Sequence, residues 1–188
     1  MALNLTPFYD TDDIGFGSGI LYVEAYTQPG STPSLSAQAN DVGVIRTATL
    51  TVTRQKLEVL AGYPRQLLIA YVLQEDVVFS ATGIEWKISR LRDALAAGRV
   101  VGNTIGFGGS TTLTEVAVEF VHQMPAGGTI FLRIWKANGQ GDLTLNFGDD
   151  VQEFTYAFKA LTVTQAWGGQ PLNSDESYFQ LEKVDPPA

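Results

Sequence analysis

The chain has 188 residues, 45% of them hydrophobic, a formal net charge of −8 and no cysteine. That apolar content is enough for one sizeable domain with its own core and excludes a disordered chain, while the missing cysteines exclude a disulfide framework and a thiolate metal site and suit a reducing cytoplasm. The acidic balance argues against tight nucleic-acid binding, which would neutralise phosphates with cations; it does not argue against a passage for DNA, where a surface that repels phosphate would reduce sticking.

The first residues, MALNLTPFYDTDD, hold no basic segment leading into an apolar one, so no signal peptide is expected. Asp10, Asp12 and Asp13 sit close together, but a calcium loop would need a ligand at Ile14 and an acid near Leu21. A solvated acidic turn is the expectation there. The glycine runs IGFGSG (14–19) and IGFGGS (105–110) lead into no helix, and no GK[ST] follows either. They are read as flexible backbone rather than phosphate loops.

Ile20–Tyr26 is a short β run, and residues 27–41, with two prolines, form a long polar loop. In RTATLTVTRQKLEV (46–59), Thr47, Thr49, Thr51 and Thr53 alternate with Ala48, Leu50 and Val52. A strand has period two, so one face is apolar and the other is a row of hydroxyls. Leu57 and Val59 then fall on odd positions, a phase slip that reads as a bulge, a bend or a strand end near Arg54–Gln55. AGYPR (61–65) is a turn, and Gln66–Phe79 returns as a long β run, apolar on both faces near Leu67–Leu73. No apolar run, LLIAYVL included, is long enough to span a bilayer.

One helix is expected over 83–97. Thr82 and Glu85 have the spacing of a capping box, and Ile84, Ile88, Leu91 and Leu95 share a face. Gly98 suits the end of the helix, with Lys87, Arg90 and Arg92 pointing outward. Residues 100–112 read as a glycine-rich loop. TEVAVEFVHQM alternates around Val116, Val118 and Phe120; GTIFLRIWKA and DLTLNFG are joined by NGQG as a hairpin; FTYAFKAL puts Phe154, Tyr156 and Phe158 on one face. The tail, about 166–188, is expected to be an arm with one last short strand. The fold class is therefore mainly β: an antiparallel β-sandwich or barrel with one flanking helix and long loops, with no composition break between domains.

No catalytic, cofactor-binding or metal site emerges. His122 is the single histidine, which makes a zinc site improbable. Ser18 and Ser110 lack the strand–turn–helix setting of a nucleophile elbow. Glu115 and Glu119 have the look of a glycosidase carboxylate pair but read better as the polar face of a strand. Trp86, Trp135 and Trp167 could form a carbohydrate platform, yet Trp86 and Trp135 are better placed to pack between sheet and helix. No enzymatic activity is expected. A strand apolar on both faces needs cover on both, and one helix cannot cover this much sheet, so a second sheet or neighbouring subunits must.

The order of segments resembles the tail tube (major tail) proteins of tailed bacteriophages. GSGILYVEAY precedes DVGVIRTATLTVTRQKLEV; QLLIAYVLQEDVVFSATGIEWKISRLRDAL runs into the single helix; FLRIWKANGQGDLTLNFGDDVQEFTYAFKALTV and SYFQLEKV follow. The LTLNFGDD…FTYAFKAL passage is similar to the C-terminal half of that family, and the resemblance covers most of residues 14–184. It implies a β-sandwich flanked by a helix, hexameric rings stacked into a hollow tube, and strands of the six subunits joined around a bore that conducts the genome. It implies no cofactor. It implies as partners the chain itself, other tail proteins (sheath, tape measure, baseplate, terminator) and double-stranded DNA as passing cargo, with no membrane insertion, in a virion assembled in the bacterial cytoplasm.

Under that resemblance Thr47, Thr49, Thr51 and Thr53 are the candidate lumen face. Residues 54–65, with Arg54, Lys56, Glu58 and Arg65, are the candidate loop for stacking one ring on the next, and the 27–41 loop and C-terminal arm are further contact candidates. A tail terminator or the tube of a phage-derived injection system could share the sandwich. A receptor- or glycan-binding module would display its aromatics in loops, whereas Trp135, Phe154, Tyr156 and Phe158 fall inside strands.

Overall fold

Antiparallel pairing of the alternating runs builds almost the whole protein. The computed structural model describes residues 19–85, 87–109, 111–125, 127–140 and 153–186. Its elements are β1 (Ile20–Ala25), β2 (Asp41–Ala61), β3 (Gln66–Gly83), α1 (Ile88–Ala94), β4 (Arg99–Val101), β5 (Thr104–Gly106), β6 (Glu115–Gln123), β7 (Thr129–Gly139), β8 (Phe154–Ala160) and β9 (Phe179–Val184). Strands follow the order β6-β1-β2-β3-β8-β7, and β7 pairs back with β6, so six strands close on themselves. The other edge of β7 takes β9 over Thr129–Ile134 and β8 over Ala137–Gly139. Closure leaves few free edges on this body: among the described residues they are the outer edge of β9 and that of β2 beyond its pairing with β1. The expected class, a mainly β antiparallel sandwich or barrel with one flanking helix, is the one observed.

Period two decides what enters the core. Phe154, Tyr156 and Phe158 of β8 are buried together, as the alternation predicts, with Val77, Phe79 and Ala81 of β3 and Val116, Val118 and Ile134 across the body. The last strand read from SYFQLEKV is β9. Asn138 and Gly139 of the expected NGQG turn are instead the last residues of β7, held in the ladder by Lys159 and Phe158 of β8. Gly141 and DLTLNFG lie outside the described residues, as do Asp10, Asp12, Asp13, Ser18, Trp86 and Ser110.

The helix is shorter than its pattern predicts. It spans Ile88–Ala94, and the capping box at Thr82–Glu85 is not formed, because Thr82 and Gly83 are the last residues of β3. Both are paired on each side, to β2 at Thr47 and Ile45 and to β8 at Thr155 and Phe154. A ladder bonded on both edges outweighs a single side-chain cap. Leu91 and Ala94 still enter the core. The end of the helix rests on β7 at Gly139, where any Cβ would run into the carbonyl of Ala94.

Arg90 does not point outward. Its side chain is 12% exposed, and it donates to the carbonyl of Val23 at 2.6 Å, to that of Ala39, and to Asn40 Oδ1 at 3.2 Å. Its partner on the helix is Asp93, fully buried, which accepts from Arg90 at 2.8 Å and from Arg92 at 2.7 Å. This cluster ties the helix to β1 and to the 27–41 loop. The loop itself carries a 3-10 turn at Gln38–Asn40 and buries Leu35. Within the expected loop 100–112, residues 100–106 join Arg99 in the small hairpin β4–β5, turning at Gly102 with φ of 56°.

Candidate functional site

The threonine row exists as read. Thr47, Thr49, Thr51 and Thr53 are all exposed, on the face of β2 opposite Ala48 and Leu50, which pack against the core. Directly across on β3 stand Thr82, Ser80, Val78 and Asp76, and β8 extends the first three rows with Thr155, Ala157 and Lys159. The result is a three-stranded face of hydroxyls and small side chains. It ends at an ion pair, Lys159 Nζ to Asp76 at 2.6 Å. The hydrogen bond from Lys159 holds the Asp76 carboxyl below its usual range against a modest opposing effect of desolvation.

The stacking loop is a different object from the one expected. Residues 54–61 are not a loop; β2 runs on to Ala61, and only the turn before Gln66 interrupts the hairpin. Pairing is continuous from Leu50↔Phe79 to Ala61↔Gln66, with irregularities at Gln55/Lys56 and Val59/Leu60. At the first, Leu73 is the extra residue on β3, so the alternation of β2 itself is unbroken. The apparent phase slip is a change in what each face carries. The hydroxyl face becomes apolar at Leu57, Val59, Ile69 and Tyr71, which face one another across the ribbon. Arg54, Lys56 and Glu58 stand on the opposite face, Arg54 paired to Glu75 at 2.9 Å, and Arg65 stands apart in the turn. That bond raises the Arg54 pKa.

From Thr51 to Ala61 and from Gln66 to Gln74 every residue is exposed. Val52, Leu57, Val59, Leu60, Leu67, Leu68, Ile69, Tyr71, Val72 and Leu73 are between 39% and 66% exposed, and Tyr63 at the turn is wholly so. This two-stranded arm projects beyond the closed body. Among the described residues its outer edges, β2 beyond Ile45 and β3 before Val78, meet no strand. The apolar run at Leu67–Leu73 was the signal for it; a loop reading of 54–65 obscured it.

The other candidates resolve into structure. Glu115 binds Lys136 at 2.8 Å, and Glu119 binds Arg133 at 2.9 Å, so the two carboxylates are separately neutralised. Burial opposes the charge of Arg133, but its bonds to Glu119 and Glu182 prevail and raise its pKa. His122 is half-buried in β6 opposite Ile130. Trp135 does not pack against the helix; it meets Trp167 edge to face at 5.2 Å and donates to the carbonyl of Glu176 at 3.0 Å. Trp167 in turn donates to the carbonyl of Trp135 at 3.2 Å. Beside this pair is a cavity of about 470 Å³, and next to it, sharing Glu176 and Phe179, one of about 720 Å³ at the root of the arm.

Among the described residues no three His, Asp or Glu side chains are grouped to hold a metal, and no helix is long and apolar enough to cross a membrane. No protein-family model matches the chain, and no curated protein sequence matches it.

Proposed function

We propose that this chain is a structural protein of a bacteriophage tail, forming hexameric rings that stack into the hollow tube through which the genome passes. The observation that carries the reading is the arm. A two-stranded ribbon is at best marginal in water on its own. This one adds large apolar side chains on both faces and open backbone edges, each an invitation to pair. Further copies of the chain satisfy all three at once. Rotation about a ring axis preserves strand direction, so β3 of one copy meets β2 of the next antiparallel, and a closed cyclic array leaves no edge.

The hydroxyl face supports the same reading. Continued from copy to copy it makes a wet, uncharged wall, with Asp76 and Lys159 neutralising each other at its margin. The net charge of −8 gives such a wall little attraction for phosphate. The hexameric count and the remaining partners (sheath, tape measure, baseplate, terminator, with duplex DNA as cargo) rest on the resemblance, as does location in a virion.

The test is negative-stain electron microscopy of the purified protein at high concentration. Hollow tubes with a regular ring repeat are expected. A protein that stays monomeric under every condition tried, or that retards duplex DNA at moderate salt, overturns the reading.

A further inference from the structure

The wholly exposed Tyr63 and the aromatic cavity beside Trp135 and Trp167 are features that the ring reading leaves without a role. The cavity is walled by Trp135, Trp167, Leu172 and Phe179, with Gln170 and Glu176 at its polar side. Both indole N–H groups are already committed to backbone carbonyls, so the indoles offer ring surface rather than donors, and Arg133, which also lines the cavity, is held by Glu119 and Glu182. A volume of about 470 Å³ is ample for one aromatic side chain. Aromatic anchors seated in such pockets, ringed by polar residues, commonly dominate the energy of protein interfaces.

We infer that this cavity receives Tyr63 of a second copy of the chain, with Arg65 of that copy against Asp175 and Glu176. The inference rests on the stacking assembly proposed above. Charge is the first argument. Arg65 is exposed in the turn beside Tyr63, and Asp175 and Glu176 are both exposed at the receiving end. Position is the second. The cavity adjoins the arm's own root, since Glu176 and Phe179 also line the space beside Val52, Arg54 and Glu75. The tip of the arm lies roughly 35 Å from that root at about 3.3 Å per residue. A copy displaced by one arm length along the strands therefore sets its root where this copy's tip ends. The contact is heterologous, tip to root, so it repeats without closing and extends a stack.

The chain has no cysteine, which makes a disulfide trap clean. Tyr63→Cys and Gln170→Cys in one chain, assembled and then mildly oxidised, should give a ladder of cross-linked dimers, trimers and higher species on a non-reducing gel. Either single variant should give dimers at most. In parallel, Tyr63→Ala should raise the concentration needed for assembly at least tenfold, Tyr63→Phe should leave it within about twofold, and Glu176→Arg should be rescued by Arg65→Glu. Tyr63, Arg65, Gln170 and Glu176 are all exposed, so the variants leave the core intact. Tubes from the wild-type chain with no ladder, and with Tyr63→Ala assembling normally, overturn this inference and leave the tube standing. A wild-type chain that never assembles overturns both.

Discussion

The same two strands live in two different worlds. Over Asp41–Leu50 and Val77–Gly83, β2 and β3 are members of a closed body with one face in the core. Over Thr51–Ala61 and Gln66–Gln74 they are a bare ribbon. In the first region a polar face opposite an apolar face is the signature of a strand half in water. In the second, apolar residues stand on both faces and water meets them all. Among the described residues nothing covers this ribbon, and the proposed assembly would supply that cover from neighbouring copies. The difference teaches where burial resides: the body has its own core, and on the proposed assembly the arm gains its burial from neighbours.

That division can be attacked from the body side first. Asp93 is buried between two arginines, and removing it leaves Arg90 with an uncompensated charge in the interior. Asp93→Ala should lower unfolding stability by about 3–5 kcal/mol, read by urea denaturation of the monomer. A loss below about 1 kcal/mol would mean that the helix is not part of the body's cooperative unit.

Tyr156 gives a smaller, pH-dependent effect. Burial, with the charge of Glu85 adding to it, pushes its hydroxyl up to about 12, and among the described residues that hydroxyl has no hydrogen-bond partner. The folded pKa lies above the unfolded one, near 10, so the stabilising contribution is complete below about pH 10. It is lost as pH rises towards 12, and amounts to roughly 3 kcal/mol for a two-unit shift. Tyr156→Phe should blunt this alkaline loss. At neutral pH it should change stability by no more than about 1 kcal/mol, because it also removes an unpaired buried oxygen. An unchanged alkaline limb in Tyr156→Phe would place the sensitive group elsewhere.

How much of this was legible depended on whether a residue's role was local. The inward set of β8 follows from alternation alone, and so does the hydroxyl row, because both need only a strand and one core. The start of α1 did not follow, since a competing ladder on both edges of Thr82 is invisible along the chain. Arg90 was misread for a related reason. Its helical phase fits the solvent side, but Val23, Ala39 and Asn40 arrive there from distant parts of the sequence. The β4–β5 hairpin hid behind its glycines, although Gly102-Asn103 between short β runs has the character of a two-residue turn. The arm was half legible. Its apolar β3 side announced a need for cover, while Leu57 and Val59 looked like a strand changing phase rather than a face changing its neighbour.

The last test concerns the arm alone and carries the smallest effect on the monomer. Joining Gln55 to Gln74 through a two-residue Asn-Gly turn removes the distal ribbon and keeps the Thr53↔Asp76 register. The residues deleted are exposed on both faces, so little burial is lost, and the urea midpoint of the monomer should move by less than about 0.5 kcal/mol in equivalent stability. Assembly should nonetheless be abolished, because the edges and apolar faces proposed to join copies are gone. If the truncated chain unfolds, the ribbon belongs to the body's folding unit and the division between the two regions is wrong. If it folds and still builds tubes of normal length, the body alone carries the contacts, and the apolar arm needs another partner.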